Sequence, residues 1–405
     1  MQHISEIESN YRALYGKLYA SLFSMFGAKY SNQIEDAIQN SFYKSLKSWK
    51  PNKIPENKEN WLFIVARNDL INQIKQRRKI VVQAPILSFE ESGKTPQEDL
   101  RLQTILFFSS IENISSQIKV IFILKNIFGL HIKEISQCTL LSQEAIYKSI
   151  NRAKKSIANK YQREPFNINS ANIRYLEITI VEEILYAVFN IGFDSFDEKI
   201  ETIVNDDLCL ESLALSKMLF KKFGYPSSKN LIALFCFHLA RIPAKLNDGK
   251  FIPFFNQETN KWNQHFIKLG FHYLEKPKDL NKYYIEALIT NTHMTATKIN
   301  NSHWNKIIQL YELLISITNS PIPKINLCYC LNKAQRVDEA LKILEEIESE
   351  LPKEHFYFSL VKADILKNSN AKESSKIIEN MMINLSQTIR KQHISENITL
   401  NFGQQ

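Results

Sequence analysis

Seven polar side chains in one segment have the types and spacing needed to read duplex DNA. In LSQEAIYKSINRAKKSI (141–157), Ser142 is a good helix N-cap, and the acidic Glu144 follows closely. Apolar residues recur at helical spacing and should face inward, namely Ala145, Ile146, Ile150, Ala153 and Ile157. The outer faces offer hydrogen bonds and charge rather than bond-making groups. The candidates for base edges are Gln143, Glu144, Tyr147 and Lys148, and those for phosphates are Asn151, Arg152 and Lys155, with Lys154 as a further donor.

The residues before this segment predict the elements that would present it to DNA. The stretch SSQIKVIFILKNIFGLHIKEISQCTL (115–140) indicates an apolar helix, a break at Gly129 and a short helix over IKEIS. A tight connection and the longer basic helix follow. A short helix, a turn and a basic second helix form the geometry that fits the second helix into the major groove.

A second polar set lies on the amphipathic segment WLFIVARNDLINQIKQRRK (61–79), whose apolar stripe is Leu62, Val65, Ala66, Leu70 and Ile74. Its outer face and basic end carry polar and basic side chains, namely Arg67, Asn68, Asn72, Lys75, Arg77 and Arg78. Trp61 stands at its start, where a Trp is more often a core anchor than an exposed side chain. Before it, the stretch 49–60 is a polar, Pro-punctuated loop.

Residues 9–48 predict two or three further helices, because two apolar sets recur at helical spacing: Leu14, Leu18, Leu22 and Phe26, then Ile34, Ile38, Phe42 and Leu46. The second helix places Glu35, Asp36, Gln39 and Asn40 on one face. That face is either a protein-docking surface or an ordinary solvated face.

The net charge of +9 is confined to one part of the chain. Residues 1–165 contain 24 Lys+Arg against 15 Asp+Glu, whereas residues 166–405 contain 27 of each. This favours a polyanionic partner for the first part only, or else a solvated basic surface without a partner. With only 9 Gly, 12 Pro and few alternating apolar runs, the sequence predicts an all-α fold.

The length of 405 residues predicts two or three domains. We assign residues 1–80 and 101–163 to two basic helical domains, 81–100 to a linker, and 170–405 to a neutral helical region. Within 322–402, Ala340 and Leu344 followed by Pro352 match the end of a tetratricopeptide unit. A generic helical bundle explains that region equally well.

Catalytic and metal-binding patterns are poor, which argues against an enzyme and predicts no metal and no cofactor. The five Cys show no metal spacing and indicate a reducing compartment, with Cys328 and Cys330 as small core residues. His238 is interpreted as a satisfied core histidine, and Arg241 and Lys245 as structural ion-pair partners. Neither a secretory signal nor a membrane span is apparent, so we expect a cytoplasmic protein.

Three blocks in order resemble the sigma-70 family of RNA polymerase initiation factors, of the extracytoplasmic-function type: IEDAIQNSFYKSLKSW (34–49), WLFIVARNDLINQIKQRR (61–78) and FGLHIKEISQCTLLSQEAIYKSINRAKKSI (128–157). Further blocks resemble the subgroup with a long helical, tetratricopeptide-like C-terminal extension: ILYAVFNIGF (184–193), LIALFCFHLARIPAK (231–245) and KWNQHFI (261–267). Phe107-Phe108-Ser109-Ser110 stands where that subgroup has Cys-Cys-His-Pro.

The resemblance implies a bacterial factor that directs RNA polymerase core enzyme to promoter DNA. Residues 1–80 would bind the polymerase through Glu35, Asp36, Gln39 and Phe42, and residues 101–163 would read the −35 element. Residues 1–80 would also melt the −10 element, whose single strand is held by a basic track and by stacking. The resemblance implies that role for Trp61, Arg67, Asn68, Asn72, Lys75, Arg77 and Arg78, with the loop 50–60 as a candidate cradle for a flipped base, and both core anchoring and base stacking stay open for Trp61. The extension would regulate the factor, and a regulatory protein is a possible partner for it. Two alternatives remain: a stand-alone helix-turn-helix regulator with a C-terminal sensor or protein-interaction domain, and a helical scaffold whose basic half is incidental.

Overall fold

The fold is all-α, as the composition predicted. A computed structural model describes residues 2–49, 54–78, 100–160, 173–196, 203–352 and 355–396. Within these ranges the regular elements are 18 α-helices, several short 3-10 turns and one two-stranded β-hairpin. The chain divides into two compact units, Met1–Val188 and Phe189–Gln405. None of the described helices is both long and apolar enough to cross a membrane.

The first unit contains seven helices and the start of an eighth: α1 Gln2–Phe26, α2 Ser31–Ser48, α3 Lys58–Arg78, α4 Leu100–Ser110, α5 Ser116–Asn126, α6 Ile132–Thr139, α7 Gln143–Lys160 and α8 Tyr175–Phe193. Helices α1 and α2, joined by a 3-10 turn, confirm the helices predicted over 9–48. The predicted linker 81–100 lies outside the described residues except for Leu100, where α4 begins.

The apolar stripes of α1, α2 and α3 form the core of the N-terminal part. Leu18, Leu22, Ile34 and Ile38 are fully buried, as the spacing predicted. The prediction was wrong for Leu46, which is 47% exposed. The buried side chain at this end of α2 is instead Trp49, which lies just beyond the helix and packs edge-on against Trp61 with ring centroids 5.3 Å apart.

Helix α1 also packs directly against α4 and α5. The rings of Phe23 and Phe108 are 5.1 Å apart, and Tyr19 contacts Phe122 edge-on at 6.5 Å. Close approach requires a glycine at position 16, because a Cβ atom there would lie 1.8 Å from the carbonyl oxygen of Ile127. The two basic helical segments, 1–80 and 101–163, are therefore packed together within one unit, and we call them the N-terminal modules.

The predicted helix-turn-helix is present as α6 and α7. Gly129 precedes it in the left-handed region (φ 62°), and Leu140 turns the chain between the two helices (φ 57°). Ser142 caps α7, since its Oγ accepts a hydrogen bond of 3.2 Å from the backbone N–H of Ala145. Both the break before α6 and the cap of α7 are confirmed.

After α8, the second unit contains ten helices: α9 Asp206–Phe223, α10 Pro226–Arg241, α11 Gln264–Tyr273, α12 Lys282–Met294, α13 Asn301–Ile317, α14 Ile322–Lys333, α15 Val337–Ile347, α16 Phe356–Leu366, α17 Ala371–Asn384 and α18 Thr388–Ile394. The antiparallel hairpin joins β1 Leu246–Asn247 to β2 Lys250–Phe251. Asp248 and Gly249 form its two-residue turn, with φ of 48° and 75°.

Successive helices of the C-terminal stretch pack as pairs. Helix α14 packs on α15 and also on α16, and α16 packs on α17. Ala340 and Leu344 are buried in the core that α12–α16 share, as are Cys328 and Cys330. The predicted stacked helix pairs are confirmed for α14–α17, and the assignment to tetratricopeptide repeats stays a prediction.

Candidate nucleic-acid interface

The outer face of α7 presents all seven side chains that the sequence assigned to the −35 element. Each is exposed, and Tyr147 keeps 56% of its surface accessible. They are Gln143, Glu144, Tyr147, Lys148, Asn151, Arg152 and Lys155. The opposite face is buried at Ile146, Ile150, Ala153 and Ile157, while Ala145 is half-buried. The helix therefore combines an anchored apolar side with a continuous polar side of hydrogen-bond donors and acceptors.

Only part of the set assigned to the −10 element is exposed on α3. Asn68, Asn72 and Lys75 are exposed, and Arg67 is half-buried. Trp61 is half-buried against Trp49, so the core-anchor interpretation describes it better than base stacking does. Arg77 and Arg78 end α3, and their side chains lie outside the described residues.

The set on α2 that the resemblance assigned to polymerase binding is divided between surface and interior. Asp36 and Gln39 are exposed. Phe42 is only 5% exposed and packs against Tyr11 with ring centroids 4.5 Å apart and planes tilted by 55°, because the apolar stripe of α2 faces the core there. In this arrangement Phe42 therefore supports the helix from inside and cannot itself contact a partner.

The fourth member of that set, Glu35, forms a contact that the sequence did not predict. Its Oε2 lies 2.8 Å from Nζ of Lys154 on α7, with side-chain exposures of 14% and 19% respectively. The expectation that Lys154 is an outward donor for DNA was wrong, since the residue turns toward α2. We call this contact the α2–α7 ion pair. It joins the predicted polymerase-binding helix to the predicted recognition helix.

The surroundings of the α2–α7 ion pair are largely dry. Burial raises the pKa of the Glu35 carboxyl, even though Lys154 and Lys125 act to lower it. Burial likewise lowers the pKa of Lys125. A carboxylate and two amines are thus withdrawn from water between the two modules. Removing any one of these charges therefore changes the electrostatic energy of the other two.

A second ion pair joins the same two modules. Nη2 of Arg12 on α1 lies 3.1 Å from Oε2 of Glu134 on α6, and the same oxygen accepts a 2.8 Å hydrogen bond from the backbone N–H of His131. Glu134 therefore both caps α6 and holds α1. The only sequence signal for it was an acidic residue in the first turn of a short helix, and nothing marked Arg12 as its partner.

No metal site is evident among the residues the structure describes, where no three His, Cys, Asp or Glu side chains come together to hold an ion. His238 packs against Phe193 with ring centroids 4.8 Å apart. It is not the satisfied core histidine that we expected, because its buried Nδ1 has no hydrogen-bond partner. Burial and the nearby cations Arg241 and Lys245 lower its pKa to about 3.

Comparison with known proteins finds a matching family model and a similar bacterial protein. Residues 177–278 match the model of a family of unknown function (DUF6596). The chain is 25% identical over 349 residues to the uncharacterized protein R00370 of Rhizobium meliloti (strain 1021), covering 82% of this chain and 81% of the relative. No solved structure matches. Because the aligned length exceeds that of either unit, the relative contains counterparts of parts of both.

Proposed function

We propose that the chain is a promoter-specific transcription initiation factor of the sigma-70 type, acting in the cytoplasm with RNA polymerase core enzyme and promoter DNA as its partners. The observation that carries the proposal is the polar face of α7 in its helix-turn-helix, where all seven assigned residues are exposed. The confinement of the net charge of +9 to residues 1–165 supports it further.

In this function α7 enters the major groove of the −35 element. Residues at the start of the helix, such as Gln143 and Lys148, contact base edges, and each good contact discriminates by about 1–3 kcal/mol. Residues farther along, such as Arg152, contact phosphates and determine the salt dependence. The exposed Asn68, Asn72 and Lys75 on α3 bind the opened −10 strand. The protein makes and breaks no covalent bond itself.

The second unit, with its neutral charge and stacked helix pairs, has the role of a regulatory domain in this proposal. Packed helix pairs present grooves suited to protein partners. Deleting residues 189–405 tests that role, because a regulatory unit must change either the level of promoter-directed transcription or its response to a stimulus.

The direct test of the main proposal is transcription in vitro with purified polymerase core and a library of random promoters. We expect transcripts that begin at new positions and depend on the chain. Two variants that each remove one positive charge distinguish the roles of α7 and α3. Lys148→Met should alter the preferred −35 sequence. Lys75→Met should impair opening of the −10 element on a duplex template, and a pre-opened template should rescue it.

A stand-alone helix-turn-helix regulator is the second candidate, and one observation favours it. In this structure Phe42 is buried and Glu35 is held by Lys154, so two of the four assigned polymerase contacts are covered. Retention of the chain on immobilised core enzyme separates the two functions. An initiation factor must be retained without DNA, whereas a stand-alone regulator needs only its operator.

A further inference from the structure

Among its described residues, the second unit brings three buried cations together, two of them on one carboxylate. Arg390 on α18 places Nη2 at 2.7 Å from Oδ1 of Asp194, and Nζ of Lys245 lies 3.6 Å from the same oxygen. Arg241, at the end of α10, shares the ring of Phe193 with Lys245. The exposed fractions of Arg241, Lys245 and Arg390 are 9%, 5% and 4%.

Local structure holds these side chains in place. A short 3-10 turn, Ile242–Ala244, separates Arg241 from Lys245, and the backbone N–H of Ile252 donates to the carbonyl oxygen of Lys245, which extends the hairpin ladder. Helix α18 packs on β2, where the ring of Phe251 meets His393 edge-on at 5.0 Å. The hairpin therefore connects the elements that supply the three cations.

Each cation lies over an aromatic ring. The guanidinium carbon of Arg241 is 3.8 Å from the ring centroid of Phe254, Nζ of Lys245 is 3.9 Å from that of Phe193, and the guanidinium carbon of Arg390 is 4.1 Å from that of Phe196. Cation–π contacts offset part of the lost hydration but leave the donor edges of a guanidinium free to bind an anion.

The hydrogen-bonding capacity of the three cations is used unequally. Arg390 donates to Asp194, to the carbonyl oxygen of Ser195 and to Gln387, and Lys245 donates to the carbonyl oxygen of Phe193. Arg241 makes one long hydrogen bond, from Nε to Oε1 of Gln257 at 3.4 Å. Within the described part of the chain no carboxylate accepts from Arg241, so the ion pair predicted for it stays a prediction. The prediction holds for Lys245, which pairs with Asp194.

The charges do not balance within the described residues. Lys245 and Arg390 share the one carboxylate of the cluster among these residues, Asp194, and Arg241 beside Lys245 pairs with none, which leaves an excess of two positive charges in a poorly solvated region. Burial lowers the pKa of Lys245 to about 8 and that of Arg241 to about 9. Nδ1 of the adjacent His238 is buried and unpartnered as well. Isolated buried charge is costly, so a compensating anion would be strongly favoured.

We propose that this cluster is a binding site for a small phosphate-bearing molecule, with the terminal N–H groups of Arg241 as its main donors and Lys245 as the adjacent charge. A phosphate monoester dianion matches the excess of two charges, whereas a carboxylate would neutralise only one of them. The guanidinium edge of Arg241 provides the bidentate geometry that phosphate oxygens accept. The site lies in the region matched by the family of unknown function, apart from Arg390 on α18.

The test is calorimetric titration of the full chain at pH 7 and constant ionic strength with three probes: inorganic phosphate, glycerol phosphate and acetate. We expect saturable binding of the two phosphates and at least tenfold weaker binding of acetate. The variant Arg241→Gln should weaken phosphate binding at least tenfold. Lys268→Gln removes an equal charge from the exposed face of α11 and should leave the affinity unchanged.

Two further measurements keep the test decisive if Arg241→Gln fails to fold. Arg241→Lys keeps the charge but loses the bidentate guanidinium edge, so it should also weaken phosphate binding. In the wild-type chain, phosphate should protect Lys245, but not Lys268, from acetylation followed by mass spectrometry. Absence of saturable phosphate binding, acetate binding as tight as that of phosphate, or wild-type affinity in a folded Arg241 variant overturns the proposal. None of these readouts involves polymerase or promoter DNA, so they are independent of the proposed function.

Discussion

Replacing Lys154 by methionine should loosen the packing of the two N-terminal modules and expose α2, the helix proposed to bind polymerase. The −10 and −35 elements lie about 25 base pairs apart, or about 85 Å at roughly 3.4 Å per base pair. The α2–α7 ion pair, with its 2.8 Å separation, is incompatible with simultaneous binding of both elements. In the proposed function the modules must therefore separate before the promoter is bound.

The free energy lost on removing Lys154 depends on the exposed fractions of the two side chains, which are 19% for Lys154 and 14% for Glu35. An exposed pair contributes about 0–1 kcal/mol, whereas removing one partner of a buried pair costs about 3–5 kcal/mol. We expect about 2 kcal/mol for Lys154→Met, which corresponds to a shift of roughly 30-fold toward the separated state. Adding Glu35→Gln should restore part of the loss, because the uncompensated carboxylate is then removed.

Hydrogen exchange of α2 and α7 measures the separation, and fluorescence titration with polymerase core in the absence of DNA measures its consequence. Lys154→Met should exchange faster in both helices and bind core more tightly than wild type. Lys148→Met removes the same charge from the exposed face of α7 and serves as the control. If the two variants exchange at equal rates, the α2–α7 ion pair does not hold the modules together and the reasoning is refuted.

Three other predictions concern separate parts of the chain. Gly16→Ala should destabilise the first unit by about 3 kcal/mol, because its Cβ would lie 1.8 Å from the carbonyl oxygen of Ile127; an unchanged melting temperature would contradict this packing. His238 has a pKa lowered to about 3, mainly by burial, so its stabilising effect is present above the ordinary value of 6.5 and is lost as the pH falls. At pH 5 the loss should be about 2 kcal/mol, and His238→Phe should flatten the decline in melting temperature between pH 7 and 5. Arg152→Ala should reduce the log–log salt slope of duplex binding by about 0.9 without altering sequence preference; an altered preference would instead make Arg152 a base contact.

The helix-turn-helix was predictable because its signals are local. Gly129, the cap at Ser142 and the spacing of Ile146 and Ile150 act within one or two helical turns, and the structure contains the break, the cap and the buried stripe they indicate. Periodicity failed at Leu46, in the last turn of α2, because the end of a helix has fewer packing neighbours and Trp49 is buried there instead.

The contacts between the modules were not predictable, because they depend on residues far apart in sequence. Arg12 and Glu134 are separated by 122 positions, and Lys154 and Glu35 by 119. A charged residue on an amphipathic helix is usually solvated, and only the docking of α1 and α2 against α4–α7 makes Lys154 a partner of Glu35. The cluster around Arg241 likewise depends on residues far apart in sequence, since Asp194, just after α8, and Arg390 on α18 are separated by 196 positions.

The most direct measurement for the proposed function is promoter-directed transcription by purified core enzyme with and without the chain. If the proposed function is right, the chain is retained on core enzyme and new start sites appear, with a −35 preference that changes in Gln143→Ala. If core enzyme starts at the same positions whether or not the chain is present, and does not retain it, the chain is not an initiation factor.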